Sequence, residues 1–302
     1  MRGTDPRVEP GDAHDEEESA STRPENPLGA EVSIARPQSL TPYDPVFLPL
    51  FLGLIALAWL LLAAWGLSPW AGYLVHDWTR LGLLASLCRI DPALGPVAGV
   101  AVGALGWLLM STAMMLPSTL ALLAAFRGLA ARQPRGGRLV AIVVAGYLSV
   151  WLLFGLIAHA MGLGLAALAG RSFWLAVNGW AIAAGALLVS GLFQFSALKF
   201  RCLDGCRSAV AFILDRWSGR RPARDSLRIG LSHGAYCVGC CWALMLIMFV
   251  LGTANLGWML LLAAVMALEK NSPWGRRLSR PVGVLLIVAA VALAGGGLGL
   301  IA

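Results

Sequence analysis

Residues 233–248 read H-G-A-Y-C-V-G-C-C-W-A-L-M-L-I-M, and they belong to an apolar run that spans residues 230–251. Three cysteines occur within five residues of this stretch, at positions 237, 240 and 241. About 20 apolar residues are enough for a helix to cross the hydrocarbon of a membrane. On such a helix Cys237, Cys241 and Met245 recur every four residues, so they share one face with His233. The stretch therefore predicts a membrane helix that carries a stripe of sulfur and imidazole groups.

The composition of the whole chain extends this prediction. Hydrophobic residues make up 58% of the sequence and charged residues 13%, whereas soluble domains are about 25% charged. We therefore predict an all-α, polytopic helical membrane protein. Pro117 is expected to kink the second membrane segment, because proline removes a backbone hydrogen bond. About seven transmembrane helices are predicted, over residues 46–67, 96–126, 139–169, 173–198, 230–251, 254–268 and 281–301.

The first 45 residues differ from the rest of the chain. They contain ten of its sixteen carboxylates, together with Pro, Ser and Gly. Such a segment buries too little apolar area to offset the entropy of ordering it. Residues 1–45 are predicted to be a disordered acidic cytoplasmic tail, and residues 46–302 a helical transmembrane domain.

Basic residues predict the orientation. Of the 23 Lys and Arg residues, 20 lie in the tail and in every second connection between the predicted spans. By the positive-inside rule the N-terminus is cytoplasmic and the C-terminus is outside. We expect a multi-pass protein of the bacterial inner (cytoplasmic) membrane, in contact with the lipid bilayer. Because basic loops are usual in such proteins, no nucleic-acid partner is expected.

A second cysteine group, in C-L-D-G-C-R at 202–207, ends the fourth predicted span. Cys202 and Cys206 share a helix face at i and i+4. One connection separates this group from the first, so both lie at the cytoplasmic face, where reducing conditions keep thiols free. Thiolates and thioethers select soft ions, so we predict a site for Cu(I) or Zn(II). Its candidate ligands are Cys202, Cys206, Cys237, Cys240, Cys241, His233, Met245 and Met114.

Some of these residues have a second interpretation. Met114 and Met245 are also explained, and better, as adaptable core side chains, and His233 as a hydrogen-bonded residue near a helix start. Lys199 is expected to extend to the lipid headgroups. Glu269 and Lys270 form an ion pair at the cytoplasmic surface, or they support the thiolate site.

Four motifs carry a family resemblance: A-M-M-L-P at 113–117, Q-F-S-A-L-K-F-R-C-L-D-G-C-R at 194–207, G-A-Y-C-V-G-C-C-W-A-L-M at 234–245, and E-K at 269–270. Together they resemble a bacterial family of predicted metal-binding integral membrane proteins, a domain of unknown function, over about residues 96–275. A proline often follows the second motif in that family, where this chain has Ser208. The resemblance implies that the residues matching the family pattern are Met114, Met115, Pro117, Gln194, Lys199, Cys202, Cys206, Cys237, Cys240, Cys241, Trp242, Met245, Glu269 and Lys270.

The function predicted from these residues is copper or zinc handling or transport, with a metal donor or acceptor protein as partner. One alternative is a membrane thiol–disulfide oxidoreductase that exchanges electrons with quinone, using Cys237 and Cys240 as a C-x-x-C pair. Another is a scaffold or assembly subunit without chemistry of its own. Enzymatic activity is expected only if the protein is the thiol–disulfide oxidoreductase.

Overall fold

The structure is a computed structural model, and it describes residues 47–68, 95–251, 256–297 and residue 299. In this part of the chain the regular structure is helical throughout, so the predicted all-α fold is confirmed there. The acidic tail predicted over residues 1–45 lies outside the described residues, and the domain division at residue 46 stays a prediction. The helices are α1 Phe47–Gly66, α2 Gly95–Met115, α3 Leu120–Ala130, α4 Gly136–Arg171, α5 Phe173–Val177, α6 Gly179–Phe193, α7 Ala197–Arg207, α8 Ala209–Leu214, α9 Pro222–Leu251, α10 Leu256–Asn271 and α11 Gly275–Gly297.

Five of the described helices are long and apolar enough to cross a membrane, namely α1, α2, α4, α9 and α11. Helices α6 and α7 meet at an angle of 64° and supply a sixth span if the bent pair is counted as one. The predicted number of seven is not confirmed. The predicted span 254–268 corresponds to α10, whose 16 residues extend about 24 Å and fall short of a hydrocarbon core of about 30 Å.

Pro117 interrupts the second predicted span, as expected from its missing N–H group. Helix α2 ends at Met115, the 3-10 helix Pro117–Thr119 follows, and α3 begins at Leu120. The Ser118 hydroxyl donates to the carbonyl oxygen of Met115 over 2.7 Å. At this break the carbonyl oxygen of Met115 therefore accepts a hydrogen bond from a side chain, and this bond holds Ser118 beside it.

Helices α4 and α9 approach each other backbone to backbone. A Cβ atom added at Gly230 would lie 2.2 Å from the carbonyl oxygen of Val143, and one at Gly234 would lie 3.1 Å from that of Tyr147. Small residues at such positions allow close helix packing. The contact holds Tyr147 of α4 directly against the cysteine-bearing helix α9.

The break between α6 and α7 starts a new helix that carries the other cysteine group. Ser196 caps α7, since its side-chain oxygen accepts from the backbone N–H of Lys199 over 3.1 Å. Helix α7 then packs against α9 and α10. A Cβ atom at Gly239 of α9 would lie only 2.5 Å from the Cys202 sulfur, so glycine at this position permits the approach of α7.

Candidate metal centre

The two cysteine motifs meet where α7 packs on α9. The sulfur atoms of Cys206 and Cys240 are 4.0 Å apart, and those of Cys240 and Cys241 are 3.2 Å apart. Cys237, Cys240 and Cys241 are buried, Cys202 and Cys206 are partly exposed, and all five are free cysteines. Two sulfurs of a tetrahedral zinc shell lie about 3.8 Å apart, because each Zn–S bond is about 2.3 Å. The separation between Cys206 and Cys240 is therefore close to that of two ligands of one ion.

The other predicted ligands lie around this pair. The Cys202 sulfur lies over the backbone of Gly239, one helical turn from Cys206. The His233 ring packs between the rings of Tyr147 and Phe212, with centroids at 5.8 Å and 5.6 Å. Its Nδ1 atom has no hydrogen-bond partner within the described residues.

Cys237 contacts two polar side chains that come from other helices. The Lys270 ammonium of α10 donates to the Cys237 sulfur over 2.9 Å and to the Ser118 hydroxyl over 3.0 Å. The Tyr147 hydroxyl lies 3.0 Å from the same sulfur and 3.2 Å from the carbonyl oxygen of Met115. An adjacent ammonium stabilises a thiolate, and the thiolate is the form of cysteine that binds metals. Cys237 is thus the cysteine whose negative charge the structure supports most directly.

Lys199 belongs to a buried ion pair, so the prediction that it extends to the headgroups is wrong. Its ammonium lies 2.8 Å from both carboxylate oxygens of Glu269 and also donates to the side-chain oxygen of Gln194. The Ser279 hydroxyl donates to the same carboxylate over 2.8 Å. The ammonium turns inward because burying a carboxylate without a partner costs several kcal/mol.

Neighbouring residues on α10 therefore reach both cysteine-bearing helices. Glu269 holds α7 through Lys199, and Lys270 holds α9 through Cys237. Consecutive helix residues point about 100° apart, which explains why the two side chains contact different partners. Of the two sequence interpretations, an ion pair between Glu269 and Lys270 or support for the thiolate site, the second fits Lys270.

Arg207 adds a further connection at the end of α7. Its guanidinium donates to the carbonyl oxygen of Glu269 over 3.2 Å and to that of Pro273 over 3.3 Å. Both acceptors lie at or just after the end of α10. The second cysteine motif is thereby tied to the turn between α10 and α11.

Buried methionines belong to the same hydrophobic core as the buried cysteines. They come from α2, α9 and α10 and pack in the same core as Cys237, Cys240 and Cys241. The Met115 sulfur lies 3.9 Å from the Lys270 ammonium. Seven of the eight methionines in the described residues are buried, including the predicted ligands Met114 and Met245: Met110, Met114, Met115, Met245, Met248, Met259 and Met266.

Two polar groups of the centre, Tyr147 and Ser118, were not predicted from the sequence. Tyr147 is one tyrosine in a long apolar run, and Ser118 follows the helix-breaking Pro117; neither position signals a contact with a distant cysteine. Among the described residues, no group of three His, Cys, Asp or Glu side chains is arranged so that it could hold one metal ion.

One comparison with known proteins gives a match. The model of the PpoB2 family, described as a copper chaperone, matches residues 104–293. The matched region runs from α2 into α11 and contains both cysteine motifs, the methionine-rich core and Lys270. No curated protein and no solved structure matches the chain significantly.

Proposed function

We propose, since this chain belongs to the PpoB2 family of copper chaperones, that the protein binds Cu(I) between the cysteine motifs of α7 and α9, inside a membrane. We propose further that it exchanges this Cu(I) with a donor or acceptor protein. The observation that carries this proposal is the 4.0 Å approach of the Cys206 and Cys240 sulfurs across two helices. Residues 34 positions apart come together there in a core rich in sulfur.

The surrounding side chains favour copper over zinc. Thiolate and thioether groups both suit Cu(I), whereas Zn(II) is held by Cys, His, Asp or Glu, in tetrahedral four-ligand shells at structural sites. The Cys206–Cys240 pair offers two sulfurs, and buried methionines such as Met114 and Met245 add thioethers to the same core.

The outer surface of the helices supports a membrane location. Helices α1 and α11 each expose several large apolar side chains, for example Leu50 at 68%, Leu60 at 67% and Leu285 at 69%. Lipid covers such surfaces without the cost that water imposes on apolar area. We propose a cytoplasmic membrane, with the N-terminus and the sulfur site at the cytoplasmic face and the C-terminus outside, from the distribution of basic residues.

Metal loading of the purified protein tests the copper proposal. The full chain is purified in detergent, loaded with Cu(I) under anaerobic conditions, and analysed for copper and zinc per protein. We expect stoichiometric copper in the wild type and its loss in the Cys206→Ser, Cys240→Ser double variant, because hydroxyls bind soft ions poorly. Cys202→Ser is the matched control from the same helix, and it is expected to retain most of the copper. Full copper content in the double variant contradicts the proposal.

The thiol–disulfide alternative is favoured by one observation, the 2.9 Å contact between the Lys270 ammonium and Cys237. A stabilised thiolate is also the nucleophile of disulfide exchange. In this case two thiols would give up two protons and two electrons to a quinone and form one disulfide. A wild-type protein that cannot be loaded with copper, but whose thiols are oxidised reversibly by a quinone, would support this alternative.

A further inference from the structure

Helices α9 and α10 run side by side away from the cysteine motifs. Cys237 lies 14 residues before Leu251, the last residue of α9. Lys270 lies 14 residues after Leu256, the first residue of α10, and its ammonium is 2.9 Å from the Cys237 sulfur. Because Leu251 and Leu256 are five residues apart in the chain, they lie within about 18 Å of each other. The two helices are therefore antiparallel neighbours over about 21 Å, from the Cys237–Lys270 contact to these ends.

This register places methionines of α10 level with sulfur groups of α9. Four residues from the Cys237–Lys270 contact, about 6 Å along the helices, are Cys241 and Met266. Eleven residues from it, about 16 Å along, are Met248 and Met259. Eleven residues are close to three full turns, so these two methionines lie on the sides of α9 and α10 that face each other. Met245 lies between the two levels, at about 12 Å.

These five residues form a sulfur seam, which consists of Cys241, Met245, Met248, Met259 and Met266. Their side chains are at most 1% exposed and belong to one hydrophobic core. Sulfur groups recur along the seam in steps of about 4–6 Å. Met248 and Met259 lie three residues from the ends of their helices, so the seam extends almost to the end of the helix pair that is remote from the cysteine motifs.

We propose that the sulfur seam is a route along which Cu(I) crosses the membrane. This inference rests on the proposed binding of Cu(I) and gives the bound ion a path away from the cysteine pair. Thioethers bind soft ions such as Cu(I) and Ag(I). They carry no charge, so they release the ion more readily than thiolates do, and conduction requires ligands that both accept and release an ion.

The flexibility of methionine suits the transfer steps. Its side chain has three rotatable bonds, so a sulfur atom can move between the ion and the next level of the seam. At each step one Cu–S bond forms as another breaks, and the ion stays Cu(I). No electron is transferred and no nucleotide is consumed, so net movement follows the gradient of free Cu(I).

Copper uptake by proteoliposomes tests this inference. The full chain is reconstituted in liposomes that enclose a Cu(I)-selective fluorescent chelator, and Cu(I) buffered by a weaker chelator is added outside under anaerobic conditions. We expect wild-type protein to take up Cu(I) at least about tenfold faster than protein-free liposomes. The double variant Met248→Leu, Met259→Leu is expected to lower this rate at least about tenfold, while its copper content after loading in detergent stays that of wild type.

Leucine is the informative replacement, because it removes the sulfur and nearly conserves the volume of methionine, an exchange that protein cores tolerate well. Met266→Leu removes a sulfur at another level and is also expected to slow uptake, so the test does not depend on one variant being stable. Met161→Leu is the matched control, since Met161 of α4 is 64% exposed and lies outside the seam. It is expected to leave the rate unchanged.

Wild-type uptake no faster than that of protein-free liposomes overturns the inference. Wild-type rates in both the double variant and Met266→Leu overturn it too, because the methionines then serve only as core packing, and so does an equal loss in Met161→Leu. In each of these cases, a wild-type protein that binds Cu(I) in detergent leaves the proposed copper function standing. A wild-type protein that binds no Cu(I) overturns both.

Discussion

Lys199 and Glu269 show how a single pair of residues connects two helices inside the protein. Their charged atoms lie 2.8 Å apart, and the side chains are 0% and 1% exposed. Removing one partner of a buried pair leaves the other charge without compensation, which costs about 3–5 kcal/mol. The pair therefore matters more for stability than an ion pair at the surface.

We expect Lys199→Met to lower the free energy of unfolding by about 3–5 kcal/mol, since it leaves the Glu269 carboxylate buried and unpaired. Denaturant unfolding in detergent measures this change. The matched control is Arg276→Met, which breaks the 3.1 Å pair with Asp204 in which both side chains are about half exposed. That control is expected to cost less than about 1 kcal/mol. Equal losses in the two variants would contradict the structural importance of the buried pair.

Cys237 and Cys241 provide the second prediction at the scale of residues. The double change Cys237→Ser and Cys241→Ser is expected to abolish copper retention, because it removes the Lys270-bound sulfur and the sulfur 3.2 Å from Cys240. His233→Ala is expected to have the weaker effect, because its ring packs against Tyr147 and Phe212 one turn away. Elemental analysis after anaerobic loading distinguishes the variants. Full retention in the double variant would exclude these two sulfurs as ligands.

At the scale of helices, the site depends on how closely α7 approaches α9. Gly239 faces Cys202, and Gly205 of α7 faces the ring of Tyr236, at 2.6 Å from an added Cβ atom. A methyl group at either position would collide with a side chain of the other helix. The two glycines thus permit the contact that brings Cys206 to Cys240.

Gly239→Ala is expected to weaken Cu(I) binding, because its new methyl group would lie 2.5 Å from the Cys202 sulfur and push α7 outward. Overpacking of this kind costs about 1–3 kcal/mol, so we expect a decrease of about tenfold in affinity. Gly185→Ala in α6 is the control, since nothing lies within 4 Å of its added Cβ atom. A chelator competition assay compares them, and an unchanged affinity in Gly239→Ala would contradict the role of close packing.

At the scale of the whole molecule, the distribution of charge predicts the side of the membrane on which the site lies. Twenty of the 23 basic residues fall in alternate segments, which favours a cytoplasmic N-terminus and an external C-terminus. A periplasmic reporter fused after Ala302 is expected to be active, and the same reporter fused after Gly219, between α8 and α9, is expected to be inactive. The opposite result at either position would move the sulfur site to the other face.

The helices and their limits follow largely from the sequence, because they depend on local chemistry. Apolar runs predicted the positions of α1, α4, α9 and α11, and Pro117 predicted a kink where the structure has a break between α2 and α3. The sequence did not decide whether residues 254–268 cross the membrane, because an apolar run of 15 residues fits both a short span and a buried helix. The cysteine motifs were also recognisable, since their spacing on a helix is a local property.

The contacts of the site were decided by the tertiary structure. The sequence predicted that the two cysteine groups would share one end of the helices, and the packing of α7 on α9 placed the Cys206 and Cys240 sulfurs 4.0 Å apart. The Lys199 ammonium points inward because it compensates the buried carboxylate of Glu269, which belongs to a helix distant in the chain. Lys270 and Tyr147 reached Cys237 from helices 33 and 90 residues away in the chain. Periodicity and proline chemistry act over a few neighbouring residues, whereas these partners are set by which helices pack together and how their faces are rotated.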